Sequence, residues 1–254
     1  IETRGERVWV KTNRDAPKER IFAIDLSKPG EPVDIVPESD AVMTGASVVG
    51  DVLFCSYLVD AHTVVKRFSL EGELLGEVAL PGIGSARGFD GDDESTGTFY
   101  SYSGYTAPTT LYRYDLESGE STVWKKPSVD FDPNDYVTEQ VFYASKDGTQ
   151  IPMFITRKKD VTADGTNPTM LYGYGGFNIS ITPRYSSSVV AWLEQGGIYA
   201  VANLRGGGEY GEDWHQQGIK QSKQNVFDDF IGAAEWLVAE GWTGPEHLAI
   251  NGRS

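Results

Sequence analysis

The feature that most constrains this chain is a repeat of about 45 residues in its first half. Ile21-Phe22-Ala23-Ile24-Asp25-Leu26, Val65-Lys66-Arg67-Phe68-Ser69-Leu70 and Leu111-Tyr112-Arg113-Tyr114-Asp115-Leu116 share one pattern. Each is a short strand that ends in Asp or Ser followed by Leu, then polar turn residues, then another strand. Leu26 to Leu70 is 44 residues and Leu70 to Leu116 is 46. A four-stranded propeller blade takes about 40–50 residues, and the Asp/Ser-Leu signature fits the corner between a blade's third and fourth strands. A sandwich of evenly spaced hairpins is the competing architecture. About three blades are expected before residue 127, fewer than a closed ring needs, so this half reads as a partial β-propeller.

The rhythm changes after Pro127. The run Pro127 to Asp135 has the prolines and acids of a linker, and a hairpin follows, with Val137–Ala144 and Gln150–Thr156 flanking an Asp147-Gly148 turn read as type I′. Strands are expected at Thr169–Tyr172, Gly197–Asn203 and His247–Asn251, with a helix over Ser188–Gln195. A longer helix carries Phe227, Phe230, Ile231, Ala234, Leu237 and Val238 on one face, with Asn225 as N-cap and Gly241 as its stop. Alternating strands and helices point to an α/β sheet, giving two domains, 1–127 and 128–254.

The chain carries 37 acidic and 22 basic residues, a net charge of -15, and no Lys/Arg run longer than Arg157-Lys158-Lys159. Nucleic-acid partners are therefore not expected. No apolar stretch approaches the ~20 residues of a membrane helix, so no membrane partner is expected either. The single cysteine, Cys55, lies in the apolar run Val52–Cys55 and reads as a buried strand residue. No His/Cys or acidic spacing suits a metal, and neither metal nor cofactor is expected. Beginning at Ile1 and ending at Ser254, the sequence reads as an internal piece of a longer protein.

Three motifs carry chemistry. Leu248-Ala249-Ile250-Asn251-Gly252-Arg253-Ser254 reads as strand, Gly, one residue, Ser: the first part of the G-x-S-x-G nucleophile elbow, where small residues permit the sharp turn that exposes the serine oxygen. Thr169–Tyr172 runs into Gly173-Tyr174-Gly175-Gly176-Phe177, a loop of the kind that builds an oxyanion hole, with Tyr174 offering a hydroxyl. Arg205-Gly206-Gly207-Gly208-Glu209-Tyr210-Gly211 mimics a dinucleotide fingerprint. The acidic, glycine-broken segment after it is wrong for a pyrophosphate, and Arg205 and Glu209 are expected instead to tie the loop by an ion pair, with a substrate contact as the alternative. The element order is that of an α/β-hydrolase up to its nucleophile.

Taken together, Leu171–Ser180, Asn203–Gly211 and Asn251–Ser254 resemble the prolyl oligopeptidase family. Oligopeptidases that cut after basic residues share the Arg-Gly-Gly-Gly-Glu loop but usually lack the Gly-Tyr-Gly-Gly-Phe form. The resemblance implies a serine endopeptidase that cuts short peptides after proline without a cofactor. Ser254 would be the nucleophile, Tyr174 an oxyanion-hole donor and Phe177 a wall of the substrate pocket. Arg253 departs from the glycine often found before that serine. The triad's Asp and His should follow the serine and so lie outside this chain. His62, His215 and His247 are read as structural, His247 lying roughly 20 Å back along the strand at ~3.3 Å per residue. Asp228 and Asp229 are read as first-turn helix acids, Ser186-Ser187-Ser188 as a helix start, and Trp192, Trp236 and Trp242 as packing. The resemblance also implies proline-containing peptides as partners, a monomer, and a cytoplasmic or, alternatively, periplasmic location. An esterase or a peptidase of other specificity, or a propeller scaffold with an inactive hydrolase part, are the rival readings.

Overall fold

The computed structural model describes residues 1–28 and 30–252. The chain divides into two units: Ile1–Ser103 with Thr109–Pro127, and Gly104–Pro108 with the chain from Ser128 onward.

The first unit holds three four-stranded antiparallel sheets, each in chain order. These are β1 (Glu2–Arg4), β2 (Arg7–Thr12), β3 (Arg20–Asp25) and β4 (Val33–Val36); β5 (Val42–Val49), β6 (Val52–Val59), β7 (His62–Ser69) and β8 (Leu74–Glu77); and β9 (Ser85–Asp90), β10 (Gly97–Ser103), β11 (Thr110–Asp115) and β12 (Ser121–Lys125). The repeated segments are the third strands β3, β7 and β11, as the spacing predicts. Their terminal side chains explain why the signature recurs. Asp25 accepts from the Ser27 N–H at 2.9 Å, Ser69 from the Glu71 and Glu73 N–H groups at 3.2 and 3.1 Å, and Asp115 from the Ser118 N–H at 3.0 Å. Short polar side chains thus close each corner into the fourth strand.

Strand β6 shows how blades stack. Its period of two sends Leu53, Cys55 and Tyr57 into a core shared with Trp9, Ile21 and Ile35 of the first sheet. Phe54, on the other face, stacks on Phe89 at 5.3 Å and meets Tyr114 edge-on at 5.7 Å in the third. A strand buried on both faces reads as an unbroken apolar run. Cys55 is fully buried there, and burial pushes its thiol up to about 12.

The second unit is built on a five-stranded sheet of β13 (Tyr136–Ala144), β14 (Gln150–Lys158), β15 (Thr169–Gly173), β16 (Ile198–Ala202) and β17 (Leu248–Asn251), ordered β13-β14-β16-β15-β17. The first three in that order are antiparallel, while β16, β15 and β17 run parallel. Helix α1 (Ser187–Glu194) joins β15 to β16. The short α2 (Glu212–Gln216) and the long α3 (Gln224–Ala239) lie between β16 and β17. Because the chain crosses in opposite directions from β15 and from β16, right-handed connections place α1 and α3 on opposite faces. Ile151, Met153, Ile155, Ile198, Ala200 and Ala202 point toward Ala233 and Leu237 of α3 in the main core.

Three local expectations differ from the structure. The Asp147-Gly148 turn is not type I′: only Gly148 has positive φ, at 86°, and Gly148 N–H donates to Ser145. It is a type I turn followed by a left-handed glycine. Helix α3 starts at Gln224 with no side-chain cap, and Asn225 donates instead to the Gln217 carbonyl at 2.9 Å. Its inward stripe is Val226, Asp229, Ala233 and Leu237, whereas Phe227 and Ile231 are 54% and 53% exposed. The small Ala233 lets the helix sit close to the sheet. That rotates the two larger residues off the buried face.

Candidate active site

The parallel register pairs Tyr172 of β15 with Asn251 of β17. The loop after Gly173 and the chain after Asn251 therefore leave the carboxyl ends of neighbouring strands, about 4.8 Å apart. Gly252 continues that proximity: a Cβ on it would sit 3.7 Å from the Gly173 carbonyl. Ser254 and Arg253 lie outside the described residues. Tyr174 is half-buried at the start of its loop, and its ring lies 3.7 Å from where a Gly176 side chain would begin.

The glycines serve contact between two backbones. Gly175 has φ of +62°, and a Cβ there would meet the Arg205 carbonyl at 2.8 Å. Gly206, with φ of +89°, would drive a Cβ to 2.7 Å from the Gly175 carbonyl. Only hydrogen fits at either place. Lys223, at the foot of α3, donates to that same Gly175 carbonyl at 2.8 Å. The G-x-G-x-x-G pattern thus packs loop on loop, and only the five-residue α2 follows, with Glu212 and Asp213 in its first turn.

Phe177 stands at the tip. Phe177 and Asn178 have φ of 53° and 57°, and the Ile179 N–H donates to Gly176 at 3.0 Å, which makes a type I′ turn. Left-handed backbone is unusual for a phenylalanine and costs about 1 kcal/mol. The turn is held from below: the Asn178 N–H donates to the Gly206 carbonyl at 3.1 Å, and His215 Nδ1 lies 2.8 Å from that oxygen. Phe177 remains 81% exposed. A large apolar side chain held outward at a conformational cost is suited to grip an apolar ligand.

Arg205 and Glu209 do not form the expected ion pair. Arg205 is buried and bonds to both oxygens of Asp229, with Nη2 at 2.6 Å from Oδ1, and to Asp147 Oδ2 at 2.6 Å. Ser145 and Thr149 accept its remaining N–H groups at 3.2 Å. Burial opposes the guanidinium charge, but the two carboxylates outweigh it and raise the Arg205 pKa. Arg205 in turn holds the Asp147 carboxyl down to about 2. The helix reading of Asp229 is corrected with it: Asp229 is fully buried in the second turn of α3 and accepts from Arg205 and Ser145. Glu209 points the other way. Its Oε1 accepts from the Ile181 N–H at 2.8 Å, and burial pushes its carboxyl up to about 7.

Ser186 precedes α1 as its N-cap residue, and Trp192 donates to the Ile198 carbonyl at 2.8 Å. His62 opens β7 in the first unit, and His247 precedes β17. Among the described residues no three His, Cys, Asp or Glu side chains cluster as a metal site would require. Asp229, Asn203, Lys223 and His215 escaped the sequence reading as contributors. Asp229 left no local signal, since the apolar face read from the sequence runs through Phe227, Phe230 and Ile231 and not through it.

The family model for the prolyl oligopeptidase N-terminal β-propeller domain matches residues 1–127, and that for the prolyl oligopeptidase family matches 183–254. Prolyl endopeptidase of Elizabethkingia miricola is 44% identical over 100% of this chain and 36% of its own length. Prolyl oligopeptidase A of Galerina marginata is 37% identical over 100% and 35%. The chain therefore spans little more than a third of these relatives. A solved prolyl endopeptidase superposes with a TM-score of 0.90 at 45% identity, covering 98% of this chain and 37% of that one. Prolyl oligopeptidase B of Galerina marginata, bound to a 35mer hydrolysis and macrocyclization substrate, gives 0.91 at 38%, covering 99% and 36%. With the propeller model spanning the three repeated sheets and the second model running through the Arg205–Gly211 loop, the chain belongs to the prolyl oligopeptidase family.

Proposed function

We propose that the protein carrying this chain is a serine endopeptidase that hydrolyses short peptides on the carboxyl side of proline through an acyl-enzyme. The observation that carries the reading is the parallel pairing of β15 with β17, by which the Tyr174 loop and the chain after Asn251 leave the same end of the sheet; in sequence, Ser254 is three residues beyond Asn251. The family's relatives named prolyl endopeptidase support the specificity.

In this mechanism the Ser254 oxygen attacks the carbonyl carbon of the proline residue as its proton passes to a histidine. The Tyr174 hydroxyl donates to the oxygen that becomes negative. The tetrahedral intermediate expels the amine, which takes the proton, and leaves an ester on Ser254. Water then attacks that ester by the same route and frees the acid. The base and its carboxylate partner are assigned to sequence after Ser254 in the full-length protein. Within the second unit, His215 is engaged at the Gly206 carbonyl beneath the Phe177 turn, and His247 precedes β17. Phe177 supplies an apolar surface to the peptide.

A fluorophosphonate probe on the full-length protein is expected to label Ser254, and Ser254→Ala to abolish labelling. Fluorogenic Gly-Pro peptides should be cleaved in preference to Arg-Arg peptides. A folded protein that leaves Ser254 unlabelled refutes the enzyme reading in favour of a scaffold. Labelling with ester turnover but no Gly-Pro cleavage refutes the specificity.

A further inference from the structure

The segment from Gly176 to Ser186 carries Phe177 yet has no helix or strand. Besides the Asn178 N–H bond to Gly206, it is held to the body of the unit at Ile181, where both peptide groups are engaged. The Ile181 N–H donates to Glu209 Oε1 at 2.8 Å, and the Ile181 carbonyl accepts from Asn203 Nδ2 at 2.6 Å. The Asn203 amide also reaches Glu209 Oε1 at 3.4 Å, so the two side chains brace each other. Asn203 follows β16 and Glu209 lies on the glycine loop, and both are buried. The far ends of these side chains are unmatched: Glu209 Oε2 and Asn203 Oδ1 are buried without a hydrogen-bond partner, as is the Tyr105 hydroxyl. Unanswered acceptors are costly inside a protein and are uncommon where a side chain only fills space.

We propose that Glu209 and Asn203 are positioning residues for the Phe177 loop, gripping Ile181 at both its N–H and its carbonyl so that the aromatic tip stands ready for substrate. For its kinetic consequence the inference rests on the peptidase reading above; the grip itself is measurable without substrate. A proton on Oε2 removes the buried charge and turns an unmatched acceptor into a donor. The phenol of Tyr105 interacts electrostatically with this carboxyl, and with Tyr172 of β15 and Tyr199 of β16. Arg205, on the same loop, is engaged by Asp229 and Asp147. Burial raises the Glu209 carboxyl from 4.5 to about 7. Relative to a released, hydrated loop, the grip therefore weakens as pH rises from 4.5 to about 7, and changes no further above that.

The test uses the full-length protein with Glu209→Ala and Glu209→Gln, hydrogen exchange at the Ile181 amide, and kinetics on a Gly-Pro peptide. Glu209→Ala should speed exchange about tenfold and raise KM about tenfold, with kcat changed by less than about threefold. Glu209→Gln keeps the acceptor for Ile181 and should restore both, with exchange protection that no longer varies between pH 5 and 7 beyond its intrinsic rate. Unchanged Ile181 protection in a folded Glu209→Ala protein overturns the proposal, as does failure of Glu209→Gln to restore protection. If Glu209→Ala does not fold, the Glu209→Gln comparison decides alone. A parent that does not cleave peptides refutes the peptidase reading and leaves the exchange arm to decide the grip.

Discussion

The two ends of the Arg205–Gly211 loop bury opposite charges in opposite ways. At one end Arg205 is enclosed by Asp229, Asp147, Ser145 and Thr149, so that every part of its guanidinium is answered. At the other, Glu209 is equally buried, with one oxygen bonded to a backbone N–H and an amide and the other bonded to nothing. A matched buried charge fixes geometry across all ordinary pH. An unmatched one survives by holding its proton. Three glycines thus separate a permanent anchor from a titrating one, and they let both ends reach inward.

The comparison breaks most visibly if the anchor is cut. Asp229→Ala leaves Arg205 buried beside only the half-exposed Asp147 and is expected to destabilise the full-length protein by about 3–5 kcal/mol in denaturant unfolding at pH 7. The loss includes the bonds from Asp229 to the Arg205 N–H and to Ser145. A cost below about 1 kcal/mol would mean that the Arg205 site lets in water and is no anchor.

At the Glu209 end the sign reverses. Its folded pKa, about 7, lies above the unfolded value near 4.5, so the folded state keeps a proton that the unfolded state has lost. Stability must then fall as pH rises from 4.5 to 7 and level off beyond, by an amount on the order of 2–3 kcal/mol. Glu209→Gln removes the titration. Thermal unfolding of the variant should lose this slope and, above pH 7, exceed the parent in Tm. A variant that tracks the parent's slope across that window would show that Glu209 is matched after all.

Why the sequence discloses one half of this and hides the other follows from where each signal resides. The blade repeat is legible because its cause is local: Asp25, Ser69 and Asp115 each close a turn within four residues of themselves. The sheet of the second unit is legible because strand and helix periods differ, and the Gly175 and Gly206 loops because only glycine tolerates such close backbones. The partners of Arg205 are not legible. Asp147 lies 58 residues away and Asp229 lies 24, and nothing local distinguishes either from the nearer Glu209. Nearness in sequence suggested the Arg205–Glu209 pair, but both side chains leave a tight loop in different directions. Phe227 and Ile231 misled for a related reason: hydrophobicity marks a helix face, whereas the buried stripe is set by the fit of Ala233 and the demand of Arg205 for Asp229.

The smallest effect sharpens the contrast within the anchor itself. Asp147 meets the same guanidinium as Asp229, but from the rim, with its side chain 47% exposed. Arg205 holds its carboxyl down to about 2, below the ordinary 3.8. Its contribution is therefore present above pH 3.8 and is lost as pH falls through about 2. Water screens a rim pair, so Asp147→Asn should cost only about 0.5–1 kcal/mol at pH 7, with the difference from the parent shrinking to a small remnant as pH falls to about 2. Stability curves of the two proteins from pH 2 to 7 check this directly. Equal costs for Asp147→Asn and Asp229→Ala would show that depth does not separate the two carboxylates, and that Arg205 is held by a shared cage whose members count alike.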